Sequence, residues 1–310
     1  LASRGSAAPA WDPGRLPRRS RVAALARLVR IEHTLFSLPF AYAGALLACG
    51  RCVDARVAVL IGLAVLGLRT AAMAFNNIAD LDIDRLNPRT RMRPLVTGAV
   101  RLRDAWLLVA LGSLLYYASA AALNRYALLL SPLLWVLAMT YPYAKRIHWL
   151  PHLHLGLVLG LVVFGGAVAA AGMEAQGLGE VLSRVPWLYV AAVTLWVAGF
   201  DTYYAIMDMD FDRRAGLGSI PARLGARGAL AASRLMHAAA AVLLAASIPV
   251  YGLGPVGAAS IAAAAALLAW QHLLLARKGL EAIPEAFNTN LLLGLVVGLG
   301  VALDAALRLL

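Results

Sequence analysis

Residues 56–84 read RVAVLIGLAVLGLRTAAMAFNNIADLDID. Roughly twenty apolar residues, broken only by Arg69, run into Asp80-Leu81-Asp82-Ile83-Asp84. An α-helix rises about 1.5 Å per residue and the hydrocarbon core of a bilayer is about 30 Å thick, so a run of this length crosses it once. The stretch predicts a membrane helix whose far end is strongly acidic.

The same pattern recurs along the chain. Nine apolar runs are expected as spans: 24–48, 56–80, 104–123, 126–143, 152–172, 186–208, 228–251, 254–276 and 284–307. Pro39 and Pro132 fall inside spans, where membrane helices tolerate kinks. Apolar residues make up 62% of the 310-residue chain and charged residues only 14%. Soluble domains carry about 45–50% and 25%, so the excess here needs a lipid solvent. The fold class predicted is all-α: a polytopic membrane protein with nine transmembrane helices. Residues 1–22, basic and with Pro9, Pro13 and Pro17, read as a loose tail and not as a signal peptide. Residues 23–310 form the membrane domain.

The net charge of +12 is carried by arginines between apolar runs. Nucleic acid is therefore not the expected partner; headgroups and anionic substrates are. Arg85, Arg89, Arg91, Arg93, Arg101 and Arg103 follow span 2, Lys145 and Arg146 follow span 4, and Arg213, Arg214, Arg223 and Arg227 follow span 6. Arg277 and Lys278 follow span 8, and the alternate loops are poor in basic residues. The positive-inside rule places the rich loops and the amino terminus in the cytoplasm, in a multi-pass plasma-membrane protein. With nine spans the carboxyl terminus is outside. Cys49 and Cys52 form an isolated CxxC in a short loop. Half a metal site with no βαβ context reads as incidental thiols or a small local disulfide.

Asp80-Leu81-Asp82-Ile83-Asp84 has a counterpart four spans later, Asp208-Met209-Asp210-Phe211-Asp212. An even number of spans puts both on one side, and the spacing predicts two pseudo-equivalent four-helix units plus a ninth helix. At 100° per residue, Arg69, Asn76, Asp80 and Asp84 share one face, and Asp201, Tyr204, Asp208 and Asp212 share another. Asp82 and Asp210 point elsewhere and read as solvated or capping. Two carboxylates four residues apart on each of two helices form a negative, oxygen-only cleft of the kind hard divalent cations relieve. Mg²⁺ commonly pairs a few carboxylates with substrate phosphates, and Arg91, Arg93, Lys145, Arg146 and Arg223 are at hand for the remaining anionic oxygens. Ordinary interfacial charges are the competing reading. Arg69 lies about 16 Å along its helix from Asp80, at a depth where an ionisable group is a functional candidate. A structural pair, or snorkelling along a water-filled cavity, competes with that.

At these residues the sequence resembles the UbiA superfamily of intramembrane prenyltransferases. The family's first motif, Asn-Asp-x-x-Asp-x-x-x-Asp, reads here Asn76-Asn77-Ile78-Ala79-Asp80-Leu81-Asp82-Ile83-Asp84. Its second, Asp-x-x-Tyr-Ala-x-x-Asp-x-x-x-Asp, is matched throughout by Asp201-Thr202-Tyr203-Tyr204-Ala205-Ile206-Met207-Asp208-Met209-Asp210-Phe211-Asp212. The departure at Asn77 lies off the Asn76/Asp80/Asp84 stripe. Residues 32–36, 141–146 and 219–225 agree with the 4-hydroxybenzoate branch.

The resemblance covers span 1 to the end. It implies nine helices around a cavity, with Mg²⁺, two ions, and an isoprenyl diphosphate at the cytoplasmic end. Position by position, Asn76, Asp80, Asp84, Asp208 and Asp212 would bind metal, directly or through water. Arg93 and Lys145 would hold diphosphate, with Arg146 and Arg223 as further substrate-binding candidates. Tyr141 and Tyr204 would face the allylic carbon, with Asp201 in the same acidic rim. Arg69 is the candidate for an acceptor carboxylate. Glu32 and His33 stay open between substrate contact and capping or packing. The expected activity is Mg-dependent transfer of a polyprenyl group to an aromatic acceptor, 4-hydroxybenzoate first, in quinone-type lipid biosynthesis. Prenylated glycerol phosphate, a naphthoate, a haem or a chlorophyll precursor are the alternative acceptors. A transporter is the alternative class, disfavoured because the charges collect at one end and not at the midplane.

Overall fold

The computed structural model describes residues 18–29 and 32–309, with side chains described for 23–29 and 37–309. Residues 1–17 of the expected tail lie outside the described residues, as do the side chains of Glu32 and His33. The described chain is helical throughout, with no strand. Its helices are α1 (Arg18–Val29), α2 (Glu32–Cys49), α3 (Ala55–Ala79), α4 (Leu81–Leu86), α5 (Leu102–Leu123), α6 (Arg125–Thr140) and α7 (Ala144–Ile147). They continue as α8 (Pro151–Ala171), α9 (Leu178–Ser183), α10 (Trp187–Tyr204), α11 (Met209–Arg214), α12 (Ile220–Val250), α13 (Pro255–Lys278) and α14 (Ile283–Leu307).

Eight stretches among the described residues are helical, long and apolar enough to cross a bilayer: α3, α5, α6 with α7, α8, α10 with α11, α12, α13 and α14. The nine expected spans thus stand at eight by this measure. The difference lies in the first. The predicted span 24–48 is two helices: α2 packs against α3, α8 and α14, and α1 against α3. Helix α1 begins inside the stretch expected to be loose. It buries Ala24, Leu28 and Val29 in a cluster with Ala74 of α3 and leaves Arg27 exposed. Asn77 fastens this contact, donating from Nδ2 to the carbonyls of Leu28 (3.2 Å) and Met73 (2.8 Å). An apolar count runs across both helices without a break.

Where helices touch, small residues let backbones approach. A Cβ on Gly44 of α2 would meet the Val163 carbonyl oxygen at 2.1 Å, and one on Gly166 of α8 would meet that of Ala41 at 1.9 Å. Polar caps close the helix ends that lipid cannot solvate. Asp54 accepts from Val57 N at 2.7 Å to start α3. Asn124 accepts from Tyr126 N and Ala127 N to start α6, and donates to Val168 O and Ala169 O of α8. Asp304, buried near the end of α14, accepts from Gly254 N and Gly257 N, both at 2.9 Å, and so caps α13 from a distant part of the chain.

Asp304→Leu would leave those amides without acceptors. Charged acceptors contribute about 1.5–3 kcal/mol each, so the variant is expected to unfold in detergent with a loss of about 3 kcal/mol. Thermal unfolding measures this. Asp304 lies on the last turns of α14, remote in the bundle from the acidic ends, so the folded fraction should keep its activity.

Cys49 and Cys52 are joined as a disulfide. Beside it Arg51 pairs with Glu174 at 2.7 Å, so the α2–α3 loop is tied to the loop after α8. This end of the bundle is separated from Asp80 by the whole of α3, 25 residues or about 37 Å.

Between the two ends, α2, α3, α5, α6 and α8 line an open apolar cavity. Leu68, Leu134, Val162 and Phe164 are among its walls, and Arg69 and Tyr116 among its few polar ones. Arg69 donates from Nη1 to Ser37 Oγ at 3.0 Å, so its partner comes from α2. On the other flank, α10 is locked to α13 and α14 by a buried polar set. Trp196 Nε1 and Gln271 Nε2 both donate to Asn290 Oδ1 at 2.9 Å, and Asn290 Nδ2 donates to the Tyr203 hydroxyl at 2.9 Å.

Candidate active site

Helix α3 stops at Ala79, and Asp80 takes φ −95°, ψ 4° before α4 begins. Helix α10 stops at Tyr204, passes through a 3-10 turn over Ala205–Asp208, and Asp208 takes φ −101°, ψ −1° before α11 begins. Each acidic segment therefore breaks once, at the first aspartate of its triplet, in the sparsely populated bridge region of backbone space. The expected unbroken helices are corrected here. The breaks match, so the two repeats share a backbone feature that no residue count shows. The intended faces survive: Asp80 and Asp84 are buried, while Asp82 and Asp210 are exposed.

The two ends meet through cations from the intervening loops. Lys145 Nζ donates to Asp80 Oδ2 at 2.8 Å, and Arg93 Nη1 donates to Asp84 Oδ2 at 2.5 Å. Arg89 forms a very short pair with Asp208 and donates to the Tyr204 hydroxyl at 3.1 Å, its guanidinium 5.2 Å from the Tyr204 ring centre. Asn87 Nδ2 also donates to Asp208, at 3.1 Å. The first-repeat loop thus closes on the second-repeat acid. Burial pushes the Asp84 carboxyl above the usual carboxylate range, against the opposing pull of Arg93. Asp82, hydrogen-bonded by Arg146, is held below it.

The remaining candidates are placed as follows. Asp201 accepts at Oδ2 from His152 Nδ1, 2.6 Å away. Asp212 is hydrogen-bonded by Ser219, the residue that caps α12. Asn76 is half-buried one turn before Asp80, and its carbonyl accepts from Asp80 N. Tyr204 stacks on Phe287 with ring centres 4.1 Å apart. Tyr141 stands edge-on to His154, at 6.2 Å. Arg146 turns to the end of α3, where it donates to Ala79 O and both oxygens of Asp82 and stays 3.9 Å from Asp80. Arg223 lies over the Trp149 ring at 4.6 Å. Arg146 therefore engages Asp82 and Arg223 the Trp149 ring, while Lys145, Arg93 and Arg89 engage Asp80, Asp84 and Asp208.

Sequence reasoning passed over Arg89, Asn87 and His152. Arg89 is one of several arginines in a loop without periodicity, and nothing in the spacing separates it from the exposed Arg91. His152 stands at the start of a helix, far in sequence from Asp201.

The carboxylates supply the oxygen ligands that a hard cation takes, although among the described residues no three of them bring an oxygen each within 4.8 Å of one another. Asp80 Oδ1 is buried and has no hydrogen-bond partner, which an acceptor-only oxygen in such a place rarely lacks. The aspartates offer oxygen ligands alone, as Mg²⁺ prefers.

The model of the UbiA prenyltransferase family matches residues 37–295, most of the chain. The chain belongs to the UbiA prenyltransferase family. Curated relatives agree. The chain is 34% identical to the 4-hydroxybenzoate octaprenyltransferase of Alkalilimnicola ehrlichii over 81% of its length and 83% of the relative's. It is 33% identical to that of Ralstonia nicotianae over 93% and 97%. Among solved structures, a UbiA homolog from Aeropyrum pernix K1 superposes with a TM-score of 0.85 at 61% identity, over 88% of this chain and 98% of that one. A UbiA homolog from Archaeoglobus fulgidus bound to DMAPP and Mg²⁺ shares the fold, with a TM-score of 0.64 at 21% identity, over 88% and 98%. As a UbiA member the chain is a multi-pass membrane enzyme, a prenyltransferase, and the transporter alternative falls away.

Proposed function

We propose that this UbiA enzyme transfers a polyprenyl group from an isoprenyl diphosphate to an aromatic acceptor, 4-hydroxybenzoate, in quinone-type lipid biosynthesis. The observation that carries the reading is the position of the cation-lined carboxylate cluster at one end of a bundle that encloses an apolar cavity with Arg69 in its wall. The names of the relatives supply the acceptor.

Asn76, Asp80, Asp84, Asp208 and Asp212 would hold two Mg²⁺ ions, which when bound act as Lewis acids on the diphosphate and ease its departure. Lys145, Arg93 and Arg89 turn to the diphosphate oxygens, where fixed positive charge stabilises the leaving group. Tyr141 and Tyr204 present aromatic faces to the allylic carbon, stabilise its developing positive charge and keep water from it. The polyprenyl tail takes the apolar cavity. Arg69 orients the acceptor carboxylate, and the ring attacks through the carbon ortho to its hydroxyl. Asp201, the motif acid paired with an imidazole and not with a lysine or arginine, receives the proton released as the ring regains aromaticity. The basic loops, and a disulfide at the opposite end that belongs to an oxidising compartment, support a cytoplasmic site in the plasma membrane.

An acceptor panel with labelled prenyl diphosphate and Mg²⁺, read by product mass, tests this. A preferred non-aromatic acceptor would overturn the choice. Arg69→Met is expected to raise the KM for 4-hydroxybenzoate by about 30-fold, as loss of a buried charged hydrogen bond of about 2 kcal/mol implies. Donor KM should be unchanged. An equal rise for an acceptor that lacks the carboxylate would remove Arg69 from this role.

A further inference from the structure

Three motif aspartates are matched by fixed cations: Asp80 by Lys145, Asp84 by Arg93 and Asp208 by Arg89. Asp201 is treated differently. Its partner is His152, the second residue of α8, which is only 3% exposed and sits where α8, α10 and α12 meet. The backbone N–H of Ile220, the first residue of α12, points at His152 Nε2 from 3.4 Å. An amide N–H only donates, so Nε2 is the accepting nitrogen. Nδ1 then carries the hydrogen and donates to Asp201. The ring is thus fixed in one tautomer by one helix and presented to the acid of another.

We propose that His152 is a positioning residue for prenyl transfer: it holds the Asp201 carboxylate in place for the acceptor's proton without adding a fixed positive charge. This rests on the prenyl-transfer reading above, in which Asp201 is the proton acceptor. In that step the bond from the allylic carbon to the diphosphate oxygen breaks, and diphosphate leaves with the electron pair. The ring's electron pair forms the new carbon–carbon bond. The substituted ring carbon then gives its proton to Asp201, and the carbon–hydrogen electron pair returns to the ring. A lysine or arginine on Asp201 would hold it as an anion and weaken it as a base. An imidazole whose Nε2 accepts from Ile220 orients the carboxylate through its Nδ1–H and adds no fixed charge.

The test uses the full-length enzyme in detergent, with geranyl diphosphate, Mg²⁺ and 4-hydroxybenzoate. His152→Leu keeps the bulk and removes the donor. It is expected to lower kcat about 100-fold, the range of a misplaced general base, with the KM for geranyl diphosphate within about twofold of the parent. His152→Asn places an amide N–H near the position of Nδ1 and should recover at least tenfold of that loss. Should the leucine variant not fold, His152→Gln, which moves the donor outward, takes its place with the same loss expected. A purely structural role would lower the unfolding temperature and raise donor KM together, with no advantage of asparagine over leucine. That pattern, or parental kcat in a folded leucine variant, overturns the proposal. A parent enzyme that transfers no prenyl group to 4-hydroxybenzoate would instead overturn the reading on which the proposal stands.

Discussion

Asp208→Ala is expected to reduce Mg²⁺-dependent prenyl transfer by at least about a thousandfold, or about 4 kcal/mol in transition-state stabilisation. Three features of the site converge on this carboxylate. It accepts from Arg89 and from Asn87, and through Arg89 it is linked to Tyr204. Its loss removes an oxygen ligand for the metal and also frees Arg89, so that the loop 87–93 loses its anchor to the second repeat. Release of diphosphate from a labelled donor, with and without Mg²⁺, measures the effect. The fold should persist, because Asp208 sits at the open end of α10 and the packing of that helix is carried by Trp196, Tyr203 and Asn290 further in. Full activity in the folded variant would remove Asp208 from the site.

Arg93→Met is expected to destabilise the metal-free protein by about 3–5 kcal/mol. Asp84 is 3% exposed and ion-paired with Arg93, and taking away one partner of a buried ion pair leaves the other uncompensated. The double variant Arg93→Met/Asp84→Leu should recover most of that loss, because an apolar replacement of the whole pair is often neutral. It should still be inactive, having lost a metal ligand and a diphosphate contact together. In the single variant, Mg²⁺ should restore part of the unfolding temperature, by supplying the positive charge that Arg93 no longer gives. Thermal unfolding of the three proteins, with and without Mg²⁺, separates these outcomes. Equal stability of parent and single variant would mean that Arg93 does not neutralise Asp84.

Much of the architecture was legible in the chain because a membrane span has a long, strong signal. The span edges from α3 onward fall close to the helix ends, except where α12 begins at Ile220, earlier than expected, and turns at Gly225 with φ 72°. The expected span 24–48 falls on two helices because α1 is Arg-rich with a narrow apolar face, and a hydropathy average runs across both. The acidic faces were legible from four-residue spacing alone, even though Asp80 and Asp208 each break the helix that the spacing assumed. One break per segment, at matching positions, leaves the relation between the two acidic ends unchanged.

By itself the sequence determined that this chain lives in a membrane, that its acids gather at one end, and which residues carry the prenyltransferase motifs. Those properties are local: composition and period act over one helix. Only the tertiary structure decided which cation serves which acid. It chose Arg89 over Arg91 for Asp208, turned Arg146 to the end of α3, and paired Asp201 with a histidine 49 residues away. Such pairings depend on where whole helices lie against one another, and in the low dielectric of a helix bundle each buried charge takes whichever partner that packing brings within reach.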